Sequence, residues 1–418
     1  MSRAGNLAIS RRRLAIILGL LAMVGPFAID SIFPAFHALA VDLRVMDAAI
    51  QQTISVYLLG YAAMSLLHGA LSDAFGRKPV ILGGLALFLL ASVGCAMAGS
   101  LQELLVYRFV QGLCAGVGLI VGRAVIRDVF DGDHAQRMMS LVSMIFSIAP
   151  AVAPIIGGFI LVGSDWRGIF WFLVALSALM LAIVGSLLPE SHPAAKRTPL
   201  HPVTLAKAYG GMLSSRPFRL LALTSTSLFG CLFLYIAAAP DYVMLHLRLD
   251  ETQFGWFFVP TIAGMSVGAF LSGRLAGKVS ASRLVAWGFA ICLLSAVANL
   301  AYCLSTETLR LPWAVLPMTG FAFGIALVFP IVTIALLDLY PAIRGTASSM
   351  QAFIGLMGNA LISGLLVPLL GKHPLHLAIA ALLFVVAAIG IWLVYLRQPH
   401  APPHSPAEPA AFEPTDEL

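Results

Sequence analysis

The chain has 418 residues, of which 60% are hydrophobic and 11% charged, whereas soluble domains carry roughly 25% charged residues. This excludes a soluble globular domain, a disordered chain and a fibrous repeat, and no polar block between Leu14 and Leu396 is long enough for an appended enzyme domain. A net charge of +6 without a basic stripe interleaved with aromatics excludes a nucleic-acid surface. Five cysteines without CxxC or CxxH spacing exclude a disulfide framework and a zinc site.

In chain order, Arg11-Arg12-Arg13 precede the first apolar run. Ala38-Leu39-Ala40 resembles a signal-peptide cleavage site, but the run from Leu14 to Phe36 is too long for a signal core and further spans follow, so it reads as a retained helix. Membrane-length stretches lie near 14–36, 49–70, 79–98, 102–122, 138–162 and 168–188, then near 218–239, 252–272, 283–303, 312–335, 347–369 and 375–396. The expectation is an all-α, polytopic membrane protein of twelve helices in two pseudo-symmetric halves. Residues 1–13 form the N-terminal segment, 14–188 the first half, 189–217 a linker, 218–396 the second half and 397–418 a proline-rich, disordered tail.

Lysines and arginines fall 19 on the side of the termini and 5 on the other, leaving Arg108 inside the fourth helix. By the positive-inside bias both termini lie in the cytoplasm. Gly69-Ala-Leu71 after the second helix matches Gly273-Arg-Leu275 after the eighth, the offset of parallel six-helix repeats.

The turn Gly69-Ala-Leu-Ser-Asp73-Ala-Phe-Gly76-Arg77-Lys78 resembles, at every signature position, the G-x-L-x-D-x-x-G-R-K/R motif of the major facilitator superfamily. Arg108-Phe-Val-Gln111-Gly112 resembles its R-x-x-Q-G pattern. Pro150-Ala-Val-Ala153-Pro154-Ile-Ile-Gly157-Gly158 is similar to the G-P-x-x-G-G pattern of antiporter members, with Ala153 in place of the first glycine. Gly264 and Gly268 of the eighth helix are expected to supply a complementary small-residue stripe where the halves meet. By the same resemblance Asp73 should pair with Arg123 or Arg127 at the end of the fourth helix and face the start of the eleventh, as a latch between halves.

Gly25-Pro26-Phe-Ala-Ile-Asp30-Ser-Ile-Phe-Pro34 resembles the P-x-x-x-D-x-x-x-P pattern of the bicyclomycin and chloramphenicol resistance (Bcr/CflA) exporters. Tyr235-Ile-Ala-Ala-Ala239-Pro240 agrees with their seventh helix, with Ala239 for serine and Asp241 where an apolar residue is common. The resemblance implies a proton-coupled antiporter of small, largely hydrophobic drugs in the bacterial inner membrane. It implies a monomer with no cofactor and no metal, whose partners are substrate, protons and lipid.

Independently of any family, a charge in mid-helix costs at least about 2.5–3.5 kcal/mol, so Asp30 and Arg108 need a reason to be there. Asp30 lies about six residues before the outer end of its helix and Arg108 about six after the outer start of its own, so both sit roughly 9 Å below the outer face and can meet in one cavity. Asp30 is expected to couple protons and Arg108 to be its electrostatic partner; a permanent structural ion pair is the alternative. Gln111 supplies a further hydrogen bond. Phe27, Tyr57, Tyr61, Met144, Phe146, Tyr235 and Phe321 are candidates to line the cavity. Glu103 is expected to cap the fourth helix, while Asp241 and Asp338 sit near helix ends with structural roles. No G-x-x-x-x-G-K-S/T phosphate loop is present, so the energy source is a gradient. A metabolite exporter or importer is the alternative within transport, separable by counterflow in inverted vesicles. A membrane enzyme or sensor would need a nucleophile, metal cluster or signalling domain.

Overall fold

A computed structural model describes residues 10–398, apart from 131, 276 and 307. The N-terminal segment before residue 10, and the expected disordered tail from residue 399, lie outside the described residues. All regular structure described is helical. Among the described residues, eleven segments are long and apolar enough to cross a bilayer: Arg11–Asp42, Arg77–Met97, Leu101–Val129, Arg137–Gly163, Trp166–Leu187, Arg216–Ala237, Gly255–Leu275, Ala281–Ser305, Leu316–Asp338, Arg344–Leu370 and Pro374–Leu396. A bent pair, Asp47–Ser65 and His68–Phe75, meeting at 48°, makes the twelfth. In chain order these are spans 1 to 12, the bent pair being span 2. With an even number of spans, both termini emerge on one face, here the termini face; the opposite one is the far face.

Local chemistry sets the ends. Ser10 caps span 1 by accepting from the Arg13 N–H at 3.4 Å, and Asp165 caps span 6 by accepting from the Arg167 and Gly168 N–H groups. Ser100 accepts from the Glu103 N–H while the Glu103 carboxylate accepts from the Gly99 N–H, a reciprocal cap of the kind expected of Glu103.

The packing repeats. Span 2 lies along span 4 as span 8 lies along span 10, and span 3 contacts spans 4 and 6 as span 9 contacts spans 10 and 12. Glycines with positive φ, Gly76 (99°) and Gly277 (77°), lie in the turns before spans 3 and 9, a conformation that glycine adopts without steric cost. Between halves, span 2 packs on span 11 and span 5 on span 8.

Two expectations need correction here. A Cβ on Gly264 or Gly268 would meet the Thr319 or Phe323 carbonyl of span 10, at 2.4 and 2.6 Å, so this stripe closes span 8 onto its own half and does not face span 5. Second, span 2 runs beyond residue 70 to Phe75 through its bend. The linker contains a helix, Pro202–Ser214, packed on spans 7 and 11.

Candidate functional site

Span 1 carries Pro26 inside its first helix, which stops at Asp30; a short turn and the 3-10 segment Phe33–Ala35 follow. The last carbonyls of a helix have no intrahelical donor, so a break in mid-membrane leaves acceptors that must be satisfied from elsewhere. Arg108 of span 4 satisfies one of them. Its Nη1 donates to the Ala28 carbonyl and to Gln111 Oε1, both at 2.9 Å, and its Nε donates to the Thr53 carbonyl of span 2 at 3.3 Å. The guanidinium carbon sits 4.4 Å from the Tyr57 ring centroid, a cation–π contact. Tyr57 in turn donates to the Gly25 carbonyl at 3.0 Å, and Gln111 Nε2 donates to Ser92 Oγ of span 3 at 2.7 Å. Arg108, Gln111 and Tyr57 are all 0% exposed. Four spans are thus tied together by one network centred on an arginine.

Asp30 is not part of that network. It is buried, at 6% exposure, and among the described residues its carboxylate makes neither an ion pair nor a hydrogen bond with another side chain. The expected Asp30–Arg108 pairing is therefore absent in this conformation: Nε and Nη1 go to the Thr53 and Ala28 carbonyls and to Gln111. One donor nitrogen, Arg108 Nη2, is buried without a partner.

The glycines of the matched motifs allow backbones to touch. A Cβ on Gly112 would lie 2.0 Å from the Tyr57 carbonyl, and one on Gly60 2.4 Å from the Phe109 carbonyl, so spans 2 and 4 cross in direct contact beside Arg108. A Cβ on Gly157 would run into the Ser31 carbonyl at the break next to Asp30, and one on Gly158 into the Glu251 carbonyl of the other half. Pro150 and Pro154 start and interrupt the same helix. Span 5 thereby links the Asp30 break to the second half.

The seven aromatic and methionine candidates do not line one cavity. Tyr57 is enclosed by the arginine network. Tyr235 and Phe321, both 0% exposed, form a separate cluster inside the second half, where Asn299 Nδ2 donates to the Tyr235 hydroxyl at 2.6 Å and Tyr242 packs edge-on at 5.3 Å. Phe27 packs on Phe172 at 5.8 Å. Only Tyr61 and Phe146, half-buried, and Met144, exposed, remain accessible among these seven.

At the far face the halves are clasped by residues the sequence reading passed over. Gln51 Nε2 donates to the Ala237 carbonyl (2.8 Å) and to Ser363 Oγ (3.1 Å), Gln52 Nε2 to the Gly364 carbonyl (2.9 Å), and Ser55 Oγ to the Ala360 carbonyl (2.8 Å). Span 11 winds into a π-helix over Ile362–Leu366 here, a local irregularity of the sort found at functional positions. Phe33 stacks on Phe258 across the same end at 6.0 Å. The adjacent glutamines Gln51-Gln52 at the start of an apolar span were the available signal. Beside the clasp is a cavity of about 410 Å³ lined by His37, Asp47, Gln51, Asp241 and Lys372. Burial pushes the Asp241 carboxyl above the usual carboxylate range and Asp47 adds to this, while His246 and Lys372 pull against it. Among the described residues no side-chain hydrogen bond joins the two six-span halves directly at the termini face.

The termini-face motif also differs from expectation. Asp73 pairs with Arg77 one turn on, and neither Arg123 nor Arg127 takes it. Arg77 also donates through Nε to Asp128 Oδ2 at 2.9 Å and through Nη1 to Ser72 Oγ at 2.7 Å. Glu190, at the end of span 6, accepts from the Arg77 and Lys78 N–H groups at 3.0 and 3.2 Å, so this carboxylate occupies the start of span 3. Lys78 Nζ reaches the Gly185 carbonyl at 2.8 Å. The geometric reason is the turn at Gly76, where any side chain would collide with Glu190, its Cβ lying 2.7 Å from Oε2. The start of span 11 is engaged elsewhere, Arg344 pairing with Asp338 at 2.8 Å. The motif therefore braces the first half internally.

Residues 16–363 match the Major Facilitator Superfamily profile. The chain is 31% identical over 387 residues to the MFS-type transporter YdgK of Bacillus subtilis (strain 168), covering 91% of this chain and 94% of that protein. It is 32% identical to a bicyclomycin resistance protein homolog of Haemophilus influenzae, covering 66% and 70%. In fold it is similar to the Escherichia coli xylose transporter XylE, with a TM-score of 0.71 at 15% identity over 92% of this chain and 97% of that one.

Proposed function

The chain belongs to the Major Facilitator Superfamily, and from that premise we propose that it is a proton-coupled exporter of small, largely apolar, drug-like compounds that works by alternating access. It is a multi-pass transporter related to drug-resistance efflux proteins, not an enzyme, and needs no cofactor. The proposed setting is a bacterial inner membrane with a monomer as the working unit. The excess of lysine and arginine on the termini face, 19 against 5, supports placing that face in the cytoplasm. The far-face clasp supports reading this conformation as the one open to the inside.

The observation that carries the reading is Asp30: an acid buried at a helix break, free of any cation partner, beside the arginine network. Protonation of such a carboxyl depends on whether water, a proton or a polar group of the substrate reaches it. When substrate and proton both need Asp30, arrival of one favours departure of the other, and an inward proton gradient drives outward transport. Arg108 acts as a positioning residue, holding the end of span 1 through the Ala28 carbonyl so that the Asp30 break keeps its place against spans 2 and 4. The relationship to a protein named for bicyclomycin resistance supports antibiotics of that kind as substrates.

The test is uphill export by purified protein in proteoliposomes under a pH gradient. Asp30→Asn should insert and fold normally, since no side-chain contact is lost, and should abolish uphill export; Asp30→Glu should retain part. Uphill export by Asp30→Asn would sink the coupling role.

A further inference from the structure

We infer that Tyr209, in the linker helix, is a positioning residue for the conformational step, tying that helix to the bend of span 2 while the termini face is open. The inference rests on the alternating-access reading above. Span 2 breaks between Ser65 and His68 with a 48° bend, which interrupts the i to i+4 ladder and leaves a carbonyl in need of a donor. The Tyr209 hydroxyl is that donor, reaching the Leu66 carbonyl at 2.8 Å. Ser349 of span 11 stands beside the phenol. The linker helix itself belongs with the second half: it packs on spans 7 and 11, and its Met212 is fully buried. One phenol, on a helix packed against the second half, thus holds the broken span of the first.

The contact is placed to sense the rocking of the halves. Spans 2 and 11 are clasped at the far face by Gln51, Gln52 and Ser55; closing the termini face releases that clasp and rotates the two spans against each other, which displaces Leu66 relative to the linker helix. A hydrogen bond of 2.8 Å does not survive a displacement of an ångström or more. Tyr209 therefore stabilises only the termini-open state.

Distances measured by spin labels across the termini face, between the ends of spans 4 and 10, report the populations in proteoliposomes. Tyr209→Phe keeps the ring and removes the hydroxyl. It should lower the ratio of termini-open to termini-closed molecules by about two- to tenfold, the range for a single hydrogen bond, with thermal stability unchanged. Ser349→Ala should shift the ratio in the same direction, and by little when added to Tyr209→Phe. The same ratio in wild type and Tyr209→Phe would overturn the inference; should that variant not fold, an unchanged ratio in Ser349→Ala would do so. A wild type with one population under all conditions would overturn alternating access itself, and the latch with it.

Discussion

The guanidinium of Arg108 is bonded to the carbonyl of Ala28, at 2.9 Å, and not to the carboxylate of Asp30 two residues further along the same span. The buried cation is accommodated by carbonyl dipoles, an amide and an aromatic face, which leaves the buried acid uncommitted. Removing either residue should therefore have different consequences.

Arg108→Ala strips charge-assisted bonds from the Ala28 and Thr53 carbonyls and from Gln111. Such bonds contribute about 1.5–3 kcal/mol, so thermal unfolding in detergent should show a marked loss of stability along with lost transport. Arg108→Lys, a point charge without the planar fork, should recover little of either. A fully active and stable Arg108→Lys would mean that the fork geometry is irrelevant.

The far-face clasp makes an independent prediction. Gln52→Ala and Ser55→Ala each remove one bond between halves, at about 0.5–1.5 kcal/mol, and should raise the far-open population several-fold. Cysteine labelling at the far face from outside intact cells measures this. Labelling no faster than in wild type would show that the clasp does not hold the gate.

On the termini face, Asp128→Asn and Glu190→Gln should damage transport more than Arg127→Ala, because the first two carry the bonds to Arg77 and to the start of span 3. Parallel transport assays at matched expression decide it. An Arg127→Ala defect as large as that of Asp128→Asn would restore the pairing expected from the sequence.

Asp241 predicts a pH response of the far gate. Its pKa is raised while the far face is closed and should relax downward when opening wets the site. The protonated form therefore favours closure: this contribution is full in acid and is lost as pH rises through the raised pKa. The facing groups are Asp47, His37, His246 and Lys372. Distances across the far face, followed from acidic to neutral pH, should shift toward open in wild type, with a flatter response in Asp241→Asn. An identical midpoint in both would assign the response to one of the histidines.

What the sequence determined alone is what depends on one dimension. Span length follows from the thickness of hydrocarbon a run of apolar residues must cross, and the motif residues follow from their order; the proposed sidedness rests on counted charges alone. The twelve spans, the family and the special status of Asp30 and Arg108 were legible for those reasons. Only the tertiary structure decided who meets whom: Arg108 with Ala28, Asp73 with Arg77, Gly264 with span 10, Tyr235 with Asn299. These depend on the azimuth of a side chain about its helix axis. A helix that is apolar all round carries no amphipathic stripe to fix that angle in advance. They depend as well on where helices break, because a break frees carbonyls such as that of Ala28, which then compete with carboxylates for the buried donors.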